Sequence, residues 1–204
     1  MAAIIRLACG LDAEQIAAIY APVVAGTAIS FEIEPPDPTE MERRIASTMA
    51  GYPWLVCDNG GELLGYAYAS MHRARPAYQR SVETTIYGNN RYRRLGVGRA
   101  LYAALLNVLP LQGYYNAYAG VTLPNPASVG LHEALGSEFI GTFRKVGYKL
   151  GRWHDVGWWQ RPLQPPTEPP AEPFALSAVT GSDAFQSCLA LGARTLLQQP
   201  ARTA

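Results

Sequence analysis

The stretch Arg93–Leu101 reads RRLGVGRAL and stands between a β-like run and a long apolar helix. Its glycines and arginines admit two readings: a tight turn on a solvated loop, or a seat for a phosphate. A helix N-terminus presents free N–H groups and the positive end of the helix dipole, so anions bind there. Glycine lets the backbone close around such a group without Cβ clashes. The order strand, glycine turn, helix is what the phosphate reading requires. The spacing, however, fits neither GxxxxGK[ST] nor GxGxxG, because Leu101 takes the last position of the latter. Taken alone, the turn leaves both readings open.

Downstream of the turn, Val97, Leu101, Leu105 and Leu109 repeat every four residues, which predicts a largely buried helix over about Val97–Leu109. Upstream, Ser81–Gly88 reads as a strand whose alternation puts Glu83, Thr85 and Tyr87 on one face and Val82, Thr84 and Ile86 on the other. Before it, Trp54–Cys57 and Leu63–Ser70 flank Asn59-Gly60-Gly61 as a hairpin. Leu64, Tyr66 and Tyr68 alternate there with Gly65, Ala67 and Ala69, so one face is bulky and the other nearly bare. Ile4–Leu7 is a first short strand, and Asp12 is placed to cap a helix over Ala13–Ala21. A second helix is expected from Thr39 to about Ala50, after Pro35, Pro36 and Pro38. Beyond the buried helix come a strand over Tyr115–Val121, a helix over Pro126–Leu135 stopped by Gly136, and two closing strands, Phe139–Tyr148 and Trp153–Trp159. The order β-α-α-β-β-β-α-β-α-β-β describes an α+β fold, a mixed sheet with helices packed on it.

Composition bounds the function. At 204 residues the chain holds one full domain, and 49% hydrophobic with 16% charged residues suits a globular protein. A formal net charge of +1 argues against nucleic acid as partner. No apolar run approaches the ~20 residues of a membrane span. The start, MAAIIRLACG, lacks the layout of a signal peptide, so a cytoplasmic location is expected. Cys9, Cys57 and Cys188 form no CxxC pair, no metal site is expected, and Cys57 reads as a buried inert thiol. Pro162–Pro173 has six prolines in twelve residues, a linker composition. The expected organisation is a functional domain over 1–161, the linker over 162–173, and a dispensable or lightly docked tail over 174–204.

The pattern Arg93-x-x-Gly96-x-Gly98 after a central strand, with Asn125 at the next strand–helix junction, resembles the Gcn5-related N-acetyltransferase (GNAT) superfamily, and within it the phosphinothricin and methionine-sulfone N-acetyltransferase group. Supporting blocks are Gly51-Tyr52-Pro53, Gly65-Tyr66-Ala67, Val82-Glu83, Leu131-His132-Glu133-Ala134-Leu135-Gly136, Val146-Gly147-Tyr148-Lys149 and Gly151-Arg152-Trp153. The resemblance covers most of residues 3–161. It implies a central, mostly antiparallel twisted sheet with flanking helices, and acetyl-CoA as co-substrate. By position, the cofactor contacts it implies are Ile86, Tyr87 and Gly88, then Arg93, Arg94, Leu95, Gly96, Val97, Gly98 and Arg99, and Asn125. The turn would hold the pyrophosphate and the preceding strand the pantetheine arm. Two departures stand out: position 94 is usually glycine, and Gly88-Asn89-Asn90 replaces a more strand-like segment.

Acetyl transfer to an amine needs a neutral nucleophile, a polarised thioester carbonyl and a proton for the departing thiolate. Glu83 is the expected base, against the alternative of a surface glutamate in a cross-strand pair. The family often has histidine after Val-Glu; here Thr84 stands in its place. His132, seven residues beyond Asn125, occupies a position where many GNAT enzymes carry a general-acid tyrosine; the other reading is a packed helix histidine. Backbone N–H groups near Tyr87 would polarise the carbonyl. Arg73 and Arg75, in the basic loop after His72, are either carboxylate-binding forks or ordinary exposed arginines. Phe31 either walls the substrate pocket or belongs to the core, and His154 reads as part of a closing strand. Trp153, Trp158 and Trp159 feed either the core or the interface of the homodimer that the resemblance implies.

The leading expectation is thus an acetyl-CoA-dependent N-acetyltransferase of a small amino acid or analogue. The competing readings are a protein N-terminal or lysine acetyltransferase, a non-catalytic acyl-CoA-binding module in which Arg94 and Thr84 mark decay, and a scaffold acting through the proline linker and tail.

Overall fold

A computed structural model describes residues 3–197. Seven strands, β1 (Ile4–Leu7), β2 (Trp54–Asn59), β3 (Glu62–Met71), β4 (Ser81–Gly88), β5 (Asn116–Leu123), β6 (Glu138–Lys149) and β7 (Arg152–Pro162), form one sheet in the order β1-β2-β3-β4-β5-β7-β6. Every pairing is antiparallel except β4 with β5, which run parallel. Helices α1 (Ala13–Gly26) and α2 (Pro38–Met49) cover one face; α3 (Val97–Leu111) and α5 (Asp183–Leu197) cover the other. The short α4 (Pro126–Ala134) joins β5 to β6. Up to β7 this is the element order expected from the sequence.

Local chemistry explains the main boundaries. Asp37 caps α2 by accepting from the Glu40 N–H at 2.8 Å, with Pro38 at the first helical position. Asp12 does not cap α1 as expected. Its carboxylate is drawn off by Arg6, with two contacts of 2.8 Å, and by the Cys9 N–H, and those bonds hold it below the usual carboxylate range against the opposing effect of burial. The turn at Gly60-Gly61 closes the β2–β3 hairpin with both glycines at positive φ.

The bare face of β3 does receive a helix. A Cβ on Gly65 would stand 3.0 Å from a Val97 methyl and 2.8 Å from the Tyr87 carbonyl oxygen, so α3 begins against the sheet at the one residue without a side chain. One detail differs from strict alternation: the β2–β3 register slips between Cys57 and Asp58, and Leu64 joins the α3-side core instead of the Tyr66 face. That core is built from Leu55, Val82, Leu101 and Leu105, all fully buried. The opposite core joins Ile16, Met41 and Ile45 to Trp54 and Tyr66. Cys57 is buried between strands, and desolvation pushes its thiol up to about 11, in keeping with an inert thiol.

The tail, expected to be dispensable or lightly docked, packs into the core in this structure. Leu176, Val179, Phe185 and Leu189 are buried in the same core as α3. Gly192 lets α5 cross α3 closely: a Cβ there would fall 2.5 Å from the Ala100 carbonyl oxygen and 2.8 Å from the Ala104 methyl. The proline-rich 162–173 segment forms no helix or strand beyond Pro162, yet it is pinned. Arg80 donates to the carbonyls of Pro170 and Ala171 and pairs with Glu172 at 2.8 Å. Gln112, fully buried, donates from Nε2 to the carbonyls of Gly51 and Phe174. A weak apolar pattern misled because the buried face of α5 is only a few residues wide. Residues 198–204, the end of the expected tail, lie outside the described residues.

Candidate active site

The site begins where two strands part. β4 spans eight residues, but it pairs with β5 only over Ser81–Glu83, opposite Asn116–Tyr118. Its other edge pairs with β3 from Val82 to Gly88. In an antiparallel ladder only alternate backbone groups face the partner strand. From Thr84 to Gly88 the remaining groups therefore face a gap between β4 and β5. Thr84, buried, bridges the root of this gap with a 3.3 Å bond from its hydroxyl to the Tyr118 carbonyl. The side chain that replaces the family histidine thus points to the α3 face, away from Glu83.

The glycine turn lies at the open end of the gap. A short 3-10 turn over Asn90–Tyr92 leads into it, and Arg93 braces it with two bonds to the Asn90 side-chain oxygen, at 3.0 and 2.7 Å. Arg94 has φ 64° and Gly96 φ 78°, so both residues adopt the left-handed conformation before α3 starts at Val97. Gly98 packs under α4: a Cβ there would stand 3.1 Å from a Leu131 methyl and 3.6 Å from Ile86. The first N–H groups of α3 have no intrahelical partner. Arg94, Leu95 and Arg99 are exposed, and among the described residues neither guanidinium has an acidic partner. Arg93 serves the turn; Arg94 and Arg99 are free to meet an anion.

The other positions sort less evenly. Ile86 packs toward α3, whereas the Tyr87 ring lies 4.8 Å from Tyr20 on the opposite face, where burial holds its hydroxyl far above the ordinary tyrosine range. Of this stretch the backbone groups of Thr84, Ile86 and Gly88 face the gap side, whereas those of Tyr87 are turned to Tyr66 of β3. Asn125 caps α4, its Oδ1 accepting from the Ser128 N–H at 3.2 Å, which leaves its amide N–H groups to bind anything else. His132 is buried, with its ring 5.2 Å from Tyr102, and desolvation pulls it down to about 4. The ring is therefore uncharged at neutral pH. Burial thus disfavours the imidazolium form from which a general acid would donate. The Tyr102 hydroxyl, buried beside Thr84, completes no hydrogen bond of good geometry among the described residues.

Glu83 is not in a cross-strand pair; Ser70 stands opposite. Its Oε1 lies 3.1 Å from His72 Nδ1 and 3.8 Å from the Arg73 guanidinium. The His72 ring stacks on Tyr118 at 4.4 Å and meets Tyr78 and Trp158 edge-on. Arg73 also sits 5.9 Å above the Trp158 ring. Arg75 opens the Pro76–Tyr78 turn, exposed and without a polar partner among the described residues. Phe31 is partly exposed, packs over Gly147 and lies 6.2 Å from His154. His154 bonds the Lys149 carbonyl, and Lys149 donates to the carbonyls of Val24 and Ser30, tying the Phe31 loop to the β6–β7 hairpin. The tryptophans divide: Trp159 is core, Trp158 joins the Glu83 cluster, and Trp153 is exposed.

His72, Tyr118 and Trp158 are the members of this cluster that sequence reasoning did not bring together. They come from a loop, β5 and β7, and only the parallel pairing of Glu83 with Tyr118 makes them neighbours. A family model for the acetyltransferase (GNAT) domain matches residues 5–158. The chain belongs to the GNAT acetyltransferase family.

Known acetyltransferases of this family resemble the chain over most of its length. It is 41% identical to the phosphinothricin N-acetyltransferase of Streptomyces viridochromogenes over 162 residues, 79% of this chain and 88% of that protein. It is 36% identical to the L-methionine sulfoximine/L-methionine sulfone acetyltransferase of Pseudomonas paraeruginosa, covering 81% of this chain and 97% of that one. The GNAT superfamily phosphinothricin acetyltransferase of Sinorhizobium meliloti, solved in complex with AcCoA, superposes with a TM-score of 0.77 at 37% identity, over 83% of this chain and 96% of that one. Among the described residues of this GNAT chain no helix is long and apolar enough to cross a membrane, and no cluster of three metal-ligating side chains occurs.

Proposed function

We propose that this GNAT domain transfers the acetyl group of acetyl-CoA to the amino group of a small amino acid or analogue of the phosphinothricin or methionine-sulfone type. The carrying observation is the β4–β5 gap, which has unpaired backbone groups along one wall, the free N-terminus of α3 at its mouth, and Glu83 at its root. In this reading the pyrophosphate binds the N–H groups of Val97, Gly98 and Arg99, with Arg94 and Arg99 beside it. Gly96, in the left-handed conformation, turns the chain so that those groups converge. The pantetheine amides hydrogen-bond the free backbone of Ile86 and Gly88, and the Asn125 amide donates from the opposite wall.

The chemistry follows from what borders the gap. The amine nitrogen attacks the thioester carbonyl, and a backbone N–H near Tyr87 polarises the carbonyl oxygen. Glu83 takes the proton from the nitrogen, the C–S bond breaks, and CoA leaves as a thiolate. A thiol titrates near ~8.5, so the thiolate departs and recovers a proton from water without an imidazolium donor. Arg73 and Arg75 supply positive charge for the substrate carboxylate, and Phe31 borders the amine side.

The names of the relatives support the substrate class. We place the domain in the cytoplasm, where its free cysteines stay reduced, and propose a homodimer. The edge strand β6 exposes Phe139, Ile140, Phe143 and Tyr148, with Trp153 of β7 alongside, an apolar strip that a second copy would cover. The test is thiol release from acetyl-CoA with phosphinothricin, methionine sulfone, methionine sulfoximine, common amino acids and short peptides. Turnover with free amino-acid analogues is expected. Turnover with peptides alone would transfer the reading to a protein acetyltransferase, and acetyl-CoA binding without turnover to a binding module.

A further inference from the structure

We propose that His72 is the positioning residue for Glu83, a histidine–carboxylate dyad set into an aromatic clamp. The inference rests on the reading of Glu83 as the base. Glu83 is partly exposed, and an unrestrained carboxylate there samples several rotamers. His72 removes that freedom through its Nδ1, 3.1 Å from Oε1. The ring is itself fixed: it stacks nearly parallel on Tyr118, with 17° between the planes, and is edged by Tyr78 and Trp158. Its side chain is only 12% exposed, against 30% for Glu83. The base carboxylate is thus held by a partner more buried than itself.

The arrangement leaves one carboxylate oxygen available. Both neighbours, His72 and Arg73, approach Oε1, and among the described residues Oε2 accepts no hydrogen bond. With the ring donating from Nδ1 to Oε1, Oε2 is the atom that receives the amine proton. The nitrogen loses an N–H bond, Glu83 gains an O–H bond, and His72 keeps its own proton throughout. The basic loop therefore has a second task beside charge: it brings His72 back over β4 so that the ring reaches Glu83 from the side of Tyr118.

The experiment compares the full-length protein with His72→Phe, His72→Asn and Glu83→Gln. Phenylalanine keeps the stack on Tyr118 and removes the hydrogen bond; asparagine places a donor close to where Nδ1 stands. All four are assayed for kcat, for KM of amine and acetyl-CoA, and for melting temperature. The expected result is a kcat lower by at least tenfold in His72→Phe, with the KM for acetyl-CoA and the melting temperature close to wild type. His72→Asn then recovers at least a third of the wild-type kcat. A His72→Phe enzyme within twofold of wild type would overturn the proposal, since the ring would then only pack. Equal losses in the two His72 variants would overturn it as well. Glu83→Gln separates the levels: if it is inactive while His72→Phe is not, the dyad fails and the base stands. If Glu83→Gln keeps full activity, the base reading fails and takes the dyad with it.

Discussion

At the scale of single residues, Arg94 is the sharpest departure from expectation and has a physical consequence. It takes a left-handed backbone, φ 64°, that costs a residue with a Cβ roughly 1–2 kcal/mol. Arg94→Gly should raise stability by about 0.5–1 kcal/mol, reduced from the full strain by the added freedom of the unfolded chain. If the phosphate seat is built from backbone N–H groups, the KM for acetyl-CoA should change by less than about threefold. A tenfold rise would make the arginine side chain itself a phosphate ligand. His132 gives a prediction in pH. Its folded value, about 4, lies below its ordinary 6.5, so between those values the unfolded chain binds more protons than the folded one. Stability therefore falls as pH drops through this window, by on the order of 3 kcal/mol for so buried a group. Chemical denaturation from pH 7 to 4 should show the slope, and His132→Gln should flatten it; an unchanged slope would contradict the assignment.

At the scale of elements, the pair α3–α5 decides how much of the chain is needed. α3 holds the turn at its N-terminus, and its outer side is covered by Phe185 and Leu189 rather than by solvent. Phe185→Ala should cost about 3–5 kcal/mol, the usual range for emptying such a site. Gly192→Leu should be at least as damaging, because no side chain fits between α5 and the Ala100 carbonyl. Thermal melts check both, and a loss under 1 kcal/mol in either would mean that α5 rides loosely. Deleting residues 162–204, which the sequence suggested would be harmless, should instead give a protein that melts lower or aggregates. The reason α5 escaped notice is physical: Phe185 and Leu189, one turn apart, are buried while Leu191 on the same helix is exposed, which blurs the stripe. The earlier elements were legible because their signals are dense: Val97, Leu101, Leu105 and Leu109 on α3, the paired glycines at Gly60-Gly61, and the prolines Pro35, Pro36 and Pro38 ahead of α2. The bulge that moves Leu64 was not, since register depends on the partner strand and not on local alternation.

At the scale of the whole molecule, the fold converts two local facts into one site: a glycine turn ahead of a helix, and a carboxylate in the third position of a strand. The turn and Glu83 were visible in the sequence, as was the alternation that puts Glu83 and Thr84 on opposite faces of β4. The cluster around Glu83 was not, because His72, Tyr118 and Trp158 are brought together only by the strand order β4-β5-β7. The exposed strip on β6 belongs to this scale too. Sedimentation velocity should give a dimer at micromolar concentration, and Phe143→Glu should shift it toward monomer; a wild-type monomer at that concentration would remove the interface.

The most direct measurement is a crystal structure of the protein with acetyl-CoA. The pyrophosphate should lie on the N–H groups of Val97–Arg99, the pantetheine along Thr84–Gly88 in the gap, and the thioester carbonyl within one water of Glu83. Acetyl-CoA bound elsewhere, or a gap closed by pairing of β4 to β5 beyond Glu83, would contradict the proposed site.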